Sequence, residues 1–241
     1  MPLLPVEKSK PKSKLSEFRF WFYGRPKIGK TSLALQFEDA LVFAFEPGAE
    51  SYEAYQIPIK SWADFVAAKI ELKKSDRFKT LVFDTVDMAF LFCTRSVCAK
   101  LGVDDRADAG WGKGWNGVRD EFTKQILDLS HSGRGIIFLS HQGSTPYKDR
   151  NGKDRMRIVP SLKDKGAQIL DAVVDIWAPI LDVEGKRILR LRGDETVEAG
   201  HRINRTIFKK YIETEEIDLG QTPEEAYKAL VDTMYPKQEK K

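Results

Sequence analysis

The chain has 241 residues, 41% of them hydrophobic, with 40 Lys and Arg against 36 Asp and Glu. That is apolar material for one ordinary α/β domain, and no apolar run approaches the roughly 18 residues that a membrane-crossing helix requires. A net charge of +4 permits a polyanionic partner without demanding one, and the two cysteines and three histidines show no zinc-ligand spacing.

Residues 1–15 set Lys against Pro and Ser, with neither a hydrophobic period nor the apolar stretch of a signal peptide. This predicts a disordered basic tail on a cytoplasmic protein. Phe18–Tyr23 is a short aromatic and apolar run ending at Gly24, the pattern of a buried strand. Leu33, Ala34 and Phe37 then fall at helical spacing and predict a helix over Thr31–Phe37. A second buried strand spans Leu41–Phe45 and closes at the turn Glu46-Pro47-Gly48. Ser61 is placed to cap a helix whose apolar face is Trp62, Phe65, Val66 and Ile70. Thr80–Asp84 reads as the third strand, followed by a helix to about Leu101. Cys93 and Cys98 on that helix point in different directions and stay reduced.

Residues 102–117, rich in Gly, Asp and Trp, read as a loop. Phe122, Ile126 and Leu129 mark the next helix, and Gly135–Ser140 a fourth buried strand. Residues 142–157 read as a second polar loop, with Asn151-Gly152 as a tight turn. Ile169–Ile180 and Arg187–Leu191 supply further helix and strand segments around a hairpin at Glu184-Gly185. Thr222-Pro-Glu-Glu caps a closing helix that runs to Tyr235. Strands alternating with helices, each strand almost continuously apolar, predict an α/β fold. Its central sheet is mainly parallel, with helices on both faces and a late β-hairpin. The chain divides into the tail 1–15, a core 16–215, and a C-terminal helix with a charged tail, 216–241.

Gly24, Arg25, Pro26, Lys27, Ile28, Gly29, Lys30 and Thr31 match the Gly-x-x-x-x-Gly-Lys-Thr pattern of a phosphate loop, set between a strand and a helix. With Ser32 next in the helix, they form the candidate nucleotide-binding set. The glycines let successive backbone N–H groups face phosphates, and the helix start adds its positive dipole. Lys30 would reach the β- and γ-phosphates, and the Thr31 hydroxyl would ligate Mg²⁺. Asp84 ends its strand where a carboxylate can hold that ion, although an Asp there also suits a helix cap. Asp87, one turn on, reads as a helix-start charge.

Hydrolysis also needs a group that orients or deprotonates water. The position after Asp84, where many P-loop ATPases carry Glu, is Thr85. Glu46, at the C-terminal end of the second strand, is the leading candidate. The alternative is an ordinary turn Glu, and Glu50 is a weaker candidate for the role. His141, directly after the fourth strand, is either a γ-phosphate sensor or a strand-end residue satisfying backbone groups.

Together these residues resemble the RecA-like branch of P-loop ATPases, and within it the small phage-encoded RecA-like proteins. Trp111-Gly112-Lys113 ahead of a helix and Ala199-Gly200-His201-Arg202 late in the core are similar to segments of that phage subgroup. The resemblance covers roughly residues 16–210. It implies a catalytic Glu after the second strand, as at Glu46, with catalytic roles for Lys30 and His141. It also implies ATP with Mg²⁺, and ATP-dependent binding of single-stranded DNA in phage recombination or annealing. A homo-oligomer with a shared ATP site follows from it, with Arg202, Arg205, Lys163 or Lys165 reaching a neighbour's γ-phosphate, and a single-stranded-DNA-binding protein as a possible further partner.

The residues themselves are compatible with DNA. Tyr147, Lys148, Arg150, Lys153, Arg155 and Arg157 form a basic loop with an aromatic residue, and Trp111, Lys113 and Trp115 interleave aromatic and basic residues in the other loop. Both loops also suit plain solvated or packed segments. The rival readings are a nucleotide-switched DNA-binding module with little hydrolysis and a P-loop regulator or phosphotransferase that never touches DNA.

Overall fold

The computed structural model describes residues 4, 6–110, 112–162, 164–204 and 208–235. Its central strand, β1 (Arg19–Gly24), is buried from Phe20 onward, so both of its faces must be covered. After it come α1 (Lys30–Ala34), β2 (Ala40–Ala44), β3 (Tyr55–Pro58), α2 (Trp62–Leu72), β4 (Thr80–Asp84) and α3 (Val86–Leu101). The second half holds α4 (Lys113–Ser130), β5 (Gly135–Lys148), β6 (Asp154–Pro160), α5 (Asp164–Val173), β7 (Ile176–Val183) and β8 (Lys186–Arg190). It closes with β9 (Gly200–His201), α6 (Lys209–Glu213), β10 (Glu216–Asp218) and α7 (Pro223–Met234).

The sheet runs β10-β8-β7-β1-β5-β4-β2-β3, parallel from β7 to β3, while β8, β9 and β10 pair antiparallel. β5 thus separates the phosphate-loop strand from the Asp84 strand. Alternate residues of β1 point to opposite cores. Phe20 and Phe22 face Leu33, Tyr211, Ala226 and Leu230 of α1, α6 and α7. Trp21 faces Phe65, Phe90, Phe122 and Leu170 of α2 to α5. The expected α/β fold, with helices on both faces and a late hairpin at β7–β8, is what the structure has.

Several boundaries differ from the sequence expectation. α1 stops at Ala34, although Phe37 still packs against Phe20 and Tyr227. Residues 102–117 are not all loop, because α4 begins at Lys113. Its N-terminus has no side-chain cap and so carries no start signal. β3 carries no apolar run in the sequence, because an edge strand pairs on one side only and need not be continuously apolar.

The largest difference is at 142–157. β5 continues past the sheet to Lys148 and pairs antiparallel with β6, from Gln142↔Pro160 to Lys148↔Asp154. Those residues are mostly solvated, so no apolar period betrays the strands. Asn151-Gly152 does lie in the turn, where the Asp149 carboxylate accepts hydrogen bonds from the Asn151 and Lys153 N–H groups.

The tail has no regular element among its described residues before Leu15. It is nevertheless tied to the core. The Lys12 ammonium pairs with the Asp175 carboxylate and lies 5.2 Å from the Phe18 ring centroid. Cys93 and Cys98 are buried and reduced, and among the described residues no helix is long and apolar enough to cross a membrane.

Candidate functional site

The register of the parallel strands decides which side chains meet. Gly24 pairs with His141 across β1–β5, Asp84 with Leu139 across β4–β5, and Ala44 with Asp84 across β2–β4. The C-terminal ends of four strands therefore stand level, where open α/β sheets hold their ligands. Phe45 and Glu46 both donate their backbone N–H groups to the Asp84 carbonyl, at 2.8 and 3.1 Å. That pins the turn after β2 against the end of β4.

The loop from Gly24 to Thr31 leaves β1 through a tight passage. A Cβ on Gly24 would stand 2.5 Å from the Ile180 carbonyl oxygen. Gly29, at φ +97°, is left-handed and starts α1, a conformation that costs a residue with a side chain about 1 kcal/mol or more. Lys30 is 6% exposed, and its ammonium donates to the Gly24 and Arg25 carbonyls at 2.9 Å each. Burial pushes its pKa down, against the pull of Asp84, Glu46 and Asp87. Arg25, Pro26 and Lys27 are exposed on the loop, Ile28 is half-buried, and Ser32 Oγ donates to the Gly29 carbonyl.

Opposite the loop, Thr31 Oγ1 donates to Asp84 Oδ2 at 2.7 Å. Asp84 is 7% exposed, and its burial lifts the carboxyl above its ordinary range, helped by the nearby Glu46 charge. Thr85 Oγ1 donates to Glu46 Oε1 at 2.5 Å, and Glu46 Oε2 lies 3.4 Å from His141 Nε2. Two hydrogen-bonded groups, Thr31–Asp84 and Thr85–Glu46–His141, thus stand side by side at the strand ends, joined through the Asp84–Thr85 backbone. His141 Nδ1 is buried without a hydrogen-bond partner among the described residues.

This donor set fits a nucleotide with its divalent ion. The glycine cradle excludes side chains, an ammonium lies within it, and a hydroxyl and a carboxylate stand adjacent. Glu50 is exposed in the short turn Ala49–Ser51. Asp87 does more than mark a helix start. Its Oδ1 accepts from Ser161 Oγ at 2.6 Å, and Ser161 N–H donates to the His141 carbonyl, so α3 grips the base of the β5–β6 hairpin.

The basic residues of that hairpin are largely paired. Lys148 meets Asp154 at 3.2 Å, Arg155 meets Asp149 at 3.1 Å, and Arg150 meets Glu195 at 3.1 Å. Arg157 donates to the Glu195 carbonyl and lies 5.0 Å from the Tyr147 ring centroid, so Tyr147 is covered on one face by its own hairpin. Lys153 has no ion-pair partner among the described residues. Lys113 is exposed at the start of α4, and Trp115 carries the Arg106 guanidinium 3.7 Å above its ring. Trp111 lies outside the described residues, as do Lys163 and Arg205. Lys165 is exposed on α5 and reaches Gln168 at 3.4 Å.

Arg202 is bound within its own chain. Its guanidinium donates to the Ala172 and Asp171 carbonyls, closing the end of α5. Its N–H donates to the Asp175 carbonyl, at the edge of the sheet opposite the phosphate loop. The residue that sequence reasoning missed is Arg187 of β8. Its Nη1 stands 2.7 Å from where a Cβ on Gly29 would be. No motif marks it, since only the β7–β8 pairing brings it there. A cavity of about 830 Å³ lies away from the phosphate loop, between the hairpin base and α5, with Trp21 and Trp177 in its lining.

A family described as AAA domain matches residues 16–203. The SPbeta prophage-derived uncharacterized protein YorG of Bacillus subtilis (strain 168) is 30% identical over 138 residues, covering 54% of this chain and 42% of the relative. The chain thus matches less than half the length of that relative. Among solved structures, the KaiC-like protein PH0186 of Pyrococcus horikoshii OT3 is similar over 78% of this chain and 83% of its own, at 16% identity and a TM-score of 0.45.

Proposed function

The chain belongs to the AAA domain family, and from that premise we propose that it is a Mg²⁺-dependent ATPase that binds single-stranded DNA in its ATP-bound state during phage DNA recombination or annealing. The observation that carries the reading is the pair of hydrogen-bonded groups Thr31–Asp84 and Thr85–Glu46–His141, which begins at the phosphate loop and ends where β5 leaves the sheet as a basic hairpin. The prophage-derived relative supports a phage setting.

The Lys30 ammonium exchanges the Gly24 and Arg25 carbonyls for the terminal phosphates. Thr31 and Asp84 hold the metal, which when bound neutralises charge on the phosphate oxygens. Glu46, steadied by Thr85, orients the attacking water and accepts its proton. His141 contacts Glu46 through Nε2, so a change at the γ-phosphate reaches the next residues of β5, and through them the hairpin. Self-association with a shared ATP site is part of the proposal, with Lys163, Lys165, Arg202 and Arg205 as candidates for the residue that crosses between copies.

A second reading draws on the hairpin ion pairs. With Lys148, Arg150 and Arg155 already matched to Asp154, Glu195 and Asp149, only Lys153 and Arg157 of the hairpin cations lack an acidic partner among the described residues, which favours a nucleotide-switched regulator over a DNA clamp. Fluorescence anisotropy with labelled single-stranded DNA, with and without ATP and across a salt series, separates the two. ATP-dependent binding with a steep salt slope supports the first reading, and no binding at low salt overturns it.

A further inference from the structure

Arg187 sits on β8, opposite Asp182 of β7, and β7 runs beside the phosphate-loop strand β1. Its guanidinium is held along one side. Nε and Nη2 both donate to the Gly220 carbonyl, at 3.1 and 2.9 Å, and Nη2 also reaches the Thr222 carbonyl at 3.3 Å. A planar guanidinium anchored at two nitrogens has no freedom left for the third. That third nitrogen, Nη1, has no hydrogen-bond partner among the described residues and lies over Gly29, with Cζ 3.9 Å from the position of a Cβ there.

We propose that Arg187 is a second cationic contact for the phosphate chain of the bound nucleotide, supplied by the same chain that supplies Lys30. The inference rests on the nucleotide reading of the loop and names a residue which that reading does not require. Gly29 is the residue whose backbone turns into α1, where the N–H groups of a phosphate loop converge on the anion. A phosphate oxygen accepted there lies beside the one free edge of a fixed guanidinium, and guanidinium–phosphate hydrogen bonds are among the strong ones.

A side chain at position 29, besides straining the +97° φ, would push Arg187 Nη1 from its place over the loop. The arrangement does not depend on Arg25 or Lys27, which are exposed on the loop itself. The anchoring carbonyls belong to the segment that leads into α7, whose N-cap is Thr222, so the same contact joins the phosphate site to the C-terminal helix.

The test compares wild type, Arg187→Gln and Arg187→Lys for binding of adenosine, AMP, ADP and ATP, by competition with a fluorescent ATP analogue, with thermal melts to establish folding. The expected result is a loss of ATP and ADP affinity of about ten- to a hundredfold in Arg187→Gln, the scale of one charge-assisted hydrogen bond. Adenosine affinity stays unchanged, and Arg187→Lys falls in between. An equal loss for adenosine, or no loss for ATP, overturns the proposal. A second measurement needs no variant. Mass-spectrometric footprinting with phenylglyoxal should show Arg187 of the wild-type chain protected by ATP and not by adenosine, and protection by neither overturns it. A wild-type chain that binds no ATP, like a Lys30→Ala control, would sink the nucleotide reading itself, an outcome distinct from ATP binding that ignores Arg187.

Discussion

The Thr85 hydroxyl donates a 2.5 Å hydrogen bond to Glu46 while accepting one from the Met88 N–H at 3.5 Å. One side chain therefore caps α3 and fixes the Glu46 carboxylate at the end of the neighbouring strand. The position directly after Asp84 thus supports an acid from the neighbouring strand instead of supplying one.

Replacing Glu46 by Gln keeps the size of the side chain and an acceptor for Thr85 but removes the base. Phosphate release should fall by about 10²–10⁴-fold with ATP affinity nearly unchanged. Thr85→Val should leave Glu46 present but unsupported, with a smaller loss of turnover of about tenfold and a cost near 1 kcal/mol from the missing cap. Steady-state phosphate release and a fluorescent-nucleotide titration measure both. Unchanged turnover in Glu46→Gln would remove Glu46 from the mechanism.

Asp84 makes a prediction about stability whose sign is unusual for a carboxylate. Its pKa is raised in the folded chain, chiefly by burial, so the folded state holds the proton more tightly than the unfolded state. The stabilising contribution is complete below the ordinary carboxylate value near 3.9 and is lost as pH rises through the higher folded value. Asp84→Asn should therefore melt a few degrees above the wild type at pH 8, roughly 2–4 °C per kcal/mol for a chain of this size. The two should converge towards pH 4. Calorimetry on the nucleotide-free proteins reads this directly, and a lower melting temperature at pH 8 would contradict it.

Asp175 behaves in the opposite sense. Burial works against its charge, yet the hydrogen bonds from Arg19 and Lys12 outweigh burial and hold its pKa below the usual range. Arg19 alone contributes its N–H at 2.8 Å and two guanidinium contacts at 3.1 and 3.2 Å. Here the stabilisation is present above the unfolded value and disappears as pH falls through the lowered one. Asp175→Asn should cost about 1–3 kcal/mol at pH 7, less than a fully buried pair because Arg19 and Lys12 are partly exposed. The deficit should shrink below about pH 4. Hydrogen exchange at the Arg19 amide, which donates to the Asp175 carboxylate at 2.8 Å, should quicken in the variant.

In the hairpin, Asp149→Asn with Asp154→Asn frees Arg155 and Lys148 while leaving acceptors for the turn. Single-stranded DNA affinity should rise, and the salt slope should steepen by about 0.7 for each new phosphate contact. Anisotropy titrations between 50 and 200 mM salt, on the order of the range over which such contacts are lost, measure the slope. An unchanged slope would exclude the hairpin as the DNA contact.

The phosphate loop, the buried strands and the capped closing helix were legible because each is written in neighbouring residues. Glycine spacing, unbroken apolar runs and Thr222-Pro-Glu-Glu act within a few positions of one another. Even Glu46 and His141 could be singled out, because a residue at the C-terminal end of a parallel strand reaches the ligand edge of the sheet whatever its neighbours are.

Other features depended on pairings far apart in the chain. The strand register sets Gly24 level with His141 and Asp84 beside Ala44, and so gathers separate candidates at one edge of the sheet. Polar strands at 142–157 form because their backbone groups pair with each other, which needs no apolar signal. Arg202 was drawn away to the end of α5, and Arg187 was brought to Gly29, by antiparallel strands whose partners no local pattern names. The sequence alone marked Gly24–Thr31 as a phosphate-loop motif between a strand and a helix. The tertiary structure decided which charges surround it, because burial and register, unlike a turn or a cap, are properties of the whole sheet.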